Sequence, residues 1–383
     1  MNALTQLSQD SNAFGFDLYR RLRGEPGNLV LSPASVTMAL AMTWGGARGE
    51  TAEQMRKALH FHGSAAVVMQ AAGELARQLQ DPNRPIKFRL ANRLFGEQTY
   101  AFEQPYLDAT RQAFGAPLEA VDFVHGAEPA RQRINAWVEQ QTEQRIRNLI
   151  PPRALNADTR LALVNAIYFL GDWQTPFAAQ ATRPEPFHRS AQVRKDVPTM
   201  HQRTQLRFAQ AGGCKLVELP YRGGNLSMLL VLPDQLEGIA ALEQSLDAAG
   251  LERLMQALQP QTVALSLPKF EINPAASLAL SEQLQALGMG LAFDPLHADF
   301  SGIANPPDPG DRLFLSQVFH KAFVRVDEQG TEAAAATAAV MQRAMATMRP
   351  LQQVEFKADH PFLFFIRDQA SGMILFSGRV MEP

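Results

Sequence analysis

The run His320–Pro350, HKAFVRVDEQGTEAAAATAAVMQRAMATMRP, constrains this chain more than any other stretch. It starts as a strand: Ala322, Val324 and Val326 alternate with Phe323, Arg325 and Asp327, the period of two that sends successive side chains to opposite faces. Asp327-Glu328-Gln329-Gly330 is a turn signal. Local propensity makes the second half a helix, because alanine is the best helix former and Met, Gln and Arg follow closely. A strand is also open to it. Laid out with a period of two, Thr331, Ala333, Ala335, Thr337 and Ala339 share one face, all small, while Glu332 points the other way. Such a segment can enter between two existing strands at little steric or desolvation cost.

The rest of the chain reads as helices first and strands from both ends. Residues 4–23 form an amphipathic helix with Leu7, Phe14, Leu18 and Leu22 on one side. Ser32-Pro33 opens a helix over 34–44, with a capping hydroxyl followed by proline at the first position, and that helix is apolar nearly all round. Thr51 caps the next, and helices are expected at 65–79, 104–114, 128–146, 238–258 and 277–287. The segment 86–95 alternates as a half-buried strand, 161–170 (LALVNAIYFL) is the most buried strand of the chain, and 226–233, 262–272, 362–367 and 373–380 are strands too. No repeat or low-complexity spacer divides residues 1–383, so the expectation is one α+β domain with a large mixed sheet.

With 46% apolar and 19% charged residues the chain can build a sizeable core. A net charge of −2 argues against non-specific nucleic-acid or membrane binding. The arginine-rich, alanine-rich usage points to a GC-rich bacterial genome. Cys214 is the single cysteine, so no intramolecular disulfide forms. No signal-peptide pattern opens the sequence and no run nears the roughly 20 apolar residues that span a bilayer. The expectation as written is a soluble, unexported chain, or a secreted or periplasmic one if a signal has been removed. Catalytic motifs are missing: there is no GxSxG, P-loop, HExxH or paired CxxC. Ser266-Leu-Pro-Lys269 matches SxxK only formally, and His60 and His62 have no acidic or cysteine partner at ligand spacing, so no enzyme and no metal site are expected.

Glu328-Gln329-Gly330-Thr331-Glu332-Ala333-Ala334-Ala335-Ala336-Thr337 resembles the reactive-loop hinge of inhibitory serpins, whose loop insertion is a known case of strand addition. Residues 28–55, 163–177, 298–303, 315–323, 358–368 and 374–383 resemble further serpin segments in family order. The resemblance implies the serpin fold: a large central mixed sheet, two smaller sheets, eight to nine helices and an exposed reactive-centre loop at about 329–350. It places Ser32, Ser35, Asn165 and His320 at the shutter, where the sheet opens, and Trp173 at the breach, where the loop first enters. Leu170 stands where a lysine is frequent, a change expected to be neutral.

The scissile bond of the family lies about fourteen residues past the hinge glycine, an inserted strand of roughly 45 Å at ~3.3 Å per residue. Counting gives Ala344–Met345, suited to an elastase-like enzyme; Arg343–Ala344 suits a trypsin-like one. The region between Gly330 and Pro361 is a few residues longer than in familiar members, so both bonds stay open. Arg349 is followed by Pro350 and is the poorer candidate. The implied activity is suicide inhibition of a serine protease by a monomer through a covalent complex, without cofactor. Arg77, Arg84, Lys87 and Arg89 are too spread for a polysaccharide site. The alternative is a non-inhibitory carrier or chaperone, against which the small residues from Thr331 to Ala339 count.

Overall fold

A computed structural model describes residues 2–115, 118–331 and 353–383. The Asn2 side chain accepts the Thr5 N–H (2.7 Å) and starts α1 (Ala3–Leu22), which buries the expected stripe Leu7, Phe14, Leu18 and Leu22. After β1 (Leu29–Leu31), the Ser32 hydroxyl caps α2 (Pro33–Gly46), all of it buried except Gly45. α3 (Gly49–Ala58) starts at Arg48, not at Thr51. The Thr51 hydroxyl lies inside the first turn and accepts the Asp299 N–H at 3.0 Å, a tertiary use of the expected cap. Then come α4 (Ala65–Leu79), β2 (Ile86–Glu97), α5 (Gln104–Phe114), β3 (Glu119–Val121), α6 (Ala127–Gln141) and β4 (Leu161–Asp172). α6 stops short of the expected 146. Thr142 Oγ1 donates to the Val138 carbonyl and accepts the Ile146 N–H, and Glu143 and Gln144 turn to positive φ.

Strands β5 (Arg183–His188), β6 (Arg194–Ala211), β7 (Cys214–Pro220) and β8 (Leu226–Pro233) follow. The single helix expected over 238–258 is two, α7 (Ile239–Ser245) and α8 (Ala248–Gln256), because Asp247 caps a fresh start by accepting the Gly250 N–H at 2.6 Å. After β9 (Gln259–Pro268) and β10 (Phe270–Ile272), part of the helix expected at 277–287 is instead β11 (Leu278–Ala279), paired to Phe319 and His320. Only α9 (Ser281–Leu284) and the wider turns after it remain helical. The chain closes with β12 (Leu315–Val326), β13 (Gly330–Thr331), β14 (Gln353–Lys357), β15 (Phe362–Asp368) and β16 (Ile374–Val380).

Among the described residues the strands make two hydrogen-bonded sheets. The main sheet runs β10-β12-β13-β4-β2-β3 and is mixed: β4 is antiparallel to β2 but parallel to β12. The other runs β1-β16-β15-β8-β7-β6-β9-β14, with β5 on β6. The two smaller sheets implied by the resemblance meet in β6, whose 18 residues pair β5 at one end, β7 at the other and β9 between.

β4 is buried on both faces, which is why its sequence is apolar without alternation. Leu161, Leu163, Ile167 and Phe169 face the larger core, which contains α2; Ala162, Val164, Ala166 and Tyr168 face a second core roofed by Ile134 and Val138 of α6. Trp137 of α6 holds this roof on β2, edge-on to Phe95 and 4.4 Å from the Arg93 guanidinium. No helix among the described residues is long and apolar enough to cross a membrane.

Candidate functional site

Where β12 and β4 run side by side, a buried polar network interrupts the apolar core. His320 and Asn165 are cross-strand partners, and Asn165 is also opposite Asn92 of β2, so three strands carry polar side chains in one row. α2 lies beneath them. The Ser32 N–H donates to His320 Nε2 (3.0 Å), so the ring proton belongs on Nδ1, which donates to Asn165 Oδ1. Asn165 Nδ2 donates to Ser35 Oγ (2.5 Å) and Asn92 Oδ1 (2.6 Å), and Asn92 Nδ2 to the Ser35 carbonyl (3.2 Å). Ser32 Oγ donates to the Leu375 carbonyl at 2.5 Å, tying the cap to β16. Complete burial pushes the His320 pKa down to about 3, so the ring is neutral wherever the fold persists.

Farther along the same seam the pairing between β12 and β4 gives way, and β13 lies between them. Thr331 pairs with Val326 of β12 and with Gly171 of β4, antiparallel to both. The turn into it is held by Asp327, whose N–H donates to the Gly330 carbonyl (2.9 Å) and whose carboxylate accepts the Gln329 N–H (2.9 Å). Glycine is required at 330, because a Cβ there would sit 2.0 Å from the Gly171 carbonyl oxygen. Thr331 is fully buried and its hydroxyl lies 2.6 Å from the Tyr221 hydroxyl.

Trp173 packs beside the start of β13. Its ring stacks on Tyr221 with centroids 4.6 Å apart and 15° between planes, and its indole N–H donates to the Asp327 carbonyl (3.0 Å). The backbone joins in: Trp173 N–H donates to the Gln329 carbonyl (2.7 Å) and Phe177 N–H to that of Glu328 (2.8 Å). Glu328 accepts from Lys269 Nζ and Thr182 Oγ1, each at 2.8 Å. Burial raises the Glu328 pKa, but the Lys269 bond and the hydrogen bonds around it outweigh that and hold it below its ordinary value.

The sequence-derived residues thus fall into two clusters on one seam: Ser32, Ser35, Asn165 and His320 below, Glu328, Gly330, Thr331 and Trp173 above. Glu332 to Thr337 of the hinge, and Arg343, Ala344 and Met345, lie outside the described residues. Sequence reasoning missed four partners. Asn92 carried a signal, being a polar residue in the inward set of an alternating strand. Lys269, Thr182 and Tyr221 carried none, since only tertiary approach brings them to the hinge. His60 and His62, which have no acidic partner at ligand spacing in the sequence, meet acidic side chains on a distant element: Asp17 at 2.7 Å and Asp10 at 2.8 Å, both on α1. Among the described residues no group of three metal-binding side chains assembles. Burial pushes the Cys214 thiol up to about 11, so it is an unreactive packed residue.

The family model described as serpin (serine protease inhibitor) matches residues 9–383. The chain belongs to the serpin family. Among curated serpin relatives, leukocyte elastase inhibitor of Bos taurus is 40% identical over 393 residues, covering 99% of this chain and 100% of the relative. Among solved serpins, Serpin48 of the insect Tenebrio molitor superposes with a TM-score of 0.87 at 34% identity, covering 99% and 98% of the two chains. Thyroxine-binding globulin in complex with thyroxine superposes with a TM-score of 0.86 at 27% identity, covering 98% and 99%. The lower cluster holds the residues that the resemblance assigns to the shutter, with Asn92 bonded among them, and the upper one holds Trp173, which it assigns to the breach.

Proposed function

We propose that this serpin inhibits a serine protease as a suicide substrate. The protease serine attacks the carbonyl of Ala344, or of Arg343, forms the acyl-enzyme and releases the amine of the following residue. The freed segment from Thr331 then continues β13 down the seam, antiparallel to β12 and β4. The bound protease is carried to the far end of the sheet, and distortion of its active site stops deacylation; catalytic groups work only when held within about 0.5 Å.

The observation that carries this reading is β13 itself: Gly330 and Thr331 already pair inside the parallel β12–β4 seam. Continued without a bulge, both registers bring Thr337 abreast of Asn165 and His320, and Ala333, Ala335 and Ala339 onto the face of Thr331. A hydroxyl thus arrives where the shutter's side chains must part, and the other arrivals are methyl groups. Met341 would reach Leu161 at the end of β4, and the scissile residues would lie just beyond it. The kinship to leukocyte elastase inhibitor and the small side chain of Ala344 favour an elastase-like target. Kinship to thyroxine-binding globulin keeps a carrier role as the second reading.

The test is incubation with elastase and with trypsin, read on a denaturing gel and by mass spectrometry of the released C-terminal peptide. A boiling-resistant band at the summed mass supports trapping, and a peptide starting at Met345 or Ala344 fixes the bond. Clipping without a covalent band and without gain in heat stability refutes the reading for these targets.

A further inference from the structure

We infer that Ser316 is a rivet at the foot of the β12–β4 seam and sets how many residues the inserted strand can carry into the sheet. The idea rests on the insertion reading above and concerns its last rungs, those nearest the scissile bond. Carried on from β13, the two registers advance together as far as Val340, which falls between Gln317 of β12 and Ala162 of β4. Below that rung the two strands stop keeping step.

Leu315 is opposite Leu161 but Gln317 is opposite Ala162, so β12 takes two steps where β4 takes one, and Ser316 is the extra residue. The side chains agree. Above the bulge the even-numbered Val318, Ala322 and Val324 face the larger core; below it the odd-numbered Leu315 and Leu313 do. A bulge in a parallel pair is rare, and this one brings the Ser316 hydroxyl across to β4, where it accepts the backbone N–H of Arg160 at 3.2 Å. Arg160 is held from other sides as well: its carbonyl accepts the Glu97 N–H of β2 (3.0 Å), and its guanidinium donates to the Ala157 carbonyl (2.8 Å). The outer edge of β12 is held at Val318, whose N–H donates to Ser281 Oγ (3.1 Å) and whose carbonyl accepts the Leu280 N–H (3.0 Å). With both strands tied on their far sides, the bulge and its bond make a fixed lower end to the seam.

Neighbouring strands lie about 4.8 Å apart, and a strand between them parts them to about 9.6 Å. A 3.2 Å bond across the seam does not survive that opening. Insertion through Val340 leaves β12 and β4 to converge again at the rivet. Met341 enters only by parting Leu161 from Leu315, which leaves the Arg160 N–H without its acceptor. A one-step slip of the insert is no remedy, because it sends every side chain to the other face. With Ser316 in place, residues 341–344 therefore leave the sheet as a tether of at most about 14 Å that carries the acyl-enzyme. Without the hydroxyl the bulged form loses its bond, and the foot of the seam opens to Met341 and beyond. Ser316 is thus a positioning residue: it fixes the length of the tether, and so how far from the sheet the trapped protease hangs.

The test uses full-length protein cut by elastase, taken uncomplexed or released from its acyl-enzyme by mild alkali, and then trimmed with carboxypeptidases. The mass of the large fragment gives its last residue. Wild type is expected to end at Val340 or just before it, because residues outside the ladder are open to trimming. Ser316→Ala is expected to keep Met341 or more, while its loop is first cut at the wild-type rate to within about twofold. Ser316→Thr retains a hydroxyl and is expected to end where wild type does. A wild-type fragment that keeps Met341, the same endpoint in Ser316→Ala as in wild type, or a Ser316→Thr endpoint that matches Ser316→Ala overturns the inference. If trimming instead runs back toward Thr331 and cleavage brings no gain in heat stability, it is the insertion reading itself that has failed.

Discussion

Replacing Asn165 by alanine tests the shutter most directly. The side chain donates to Ser35 Oγ and Asn92 Oδ1 and accepts from His320 Nδ1, all with the residue 1% exposed. Truncation leaves the His320 N–H buried without a partner, at a cost of about 1–3 kcal/mol. Loss of the two other bonds adds about 1 kcal/mol each. The sum, roughly 3–5 kcal/mol, would lower the melting midpoint of the uncut protein by about 3–10 °C at fixed scan rate. On the proposed insertion, the new strand of the cleaved form would separate Asn165 from His320 whatever residue stands at 165. The same substitution should then cost the cleaved protein less than about 1.5 kcal/mol. Urea unfolding of uncut and cleaved protein, wild type against variant, reads both numbers. Equal losses in the two forms, or a loss below about 1 kcal/mol in the uncut form, would refute the claim that this network holds the seam closed.

Two further outcomes are expected. His320 has a pKa of about 3 folded against about 6.5 unfolded, so its contribution is present above pH 6.5 and lost as pH falls: about 2 kcal/mol by pH 5, as an upper estimate. Urea midpoints of wild type and His320→Gln across pH 7.5 to 5 should converge toward low pH; curves that stay parallel would show that the ring is not held neutral. Thr331→Arg places an unpaired charge at a fully buried point beside Tyr221, a cost of several kcal/mol that expels the hinge. Elastase should then cleave this variant without a covalent band, and a wild-type yield of covalent complex would contradict the insertion register.

Much of the fold could be read from pattern. The alternation in 86–95 and the unbroken apolar run 161–170 gave β2 and β4, and Ser32-Pro33 gave the start of α2. Errors came where a side chain expected to act locally is used elsewhere. Thr51 binds Asp299 instead of capping, Asp247 starts a helix inside an apparent one, and Leu278–Ala279 is drawn onto β12. The hinge is the clearest case of two local readings left open. Alanine-rich propensity favours a helix from 331 on, but Thr331 is a strand residue because two neighbouring strands offer it hydrogen bonds on both sides.

The sequence by itself determined which residues are small enough to enter a sheet, which polar residues stand inside apolar strands, and that no disulfide closes the chain. These are properties of composition and period, carried by each segment alone. Only the tertiary structure decided that Lys269 and Thr182 clamp Glu328, that Asn92 completes the Asn165–His320 row, and that Lys357 of β14 comes beside Glu185. Those contacts join residues far apart in the chain. They exist because the mixed sheet sets a parallel pair, β12 and β4, side by side with a third strand already begun between them.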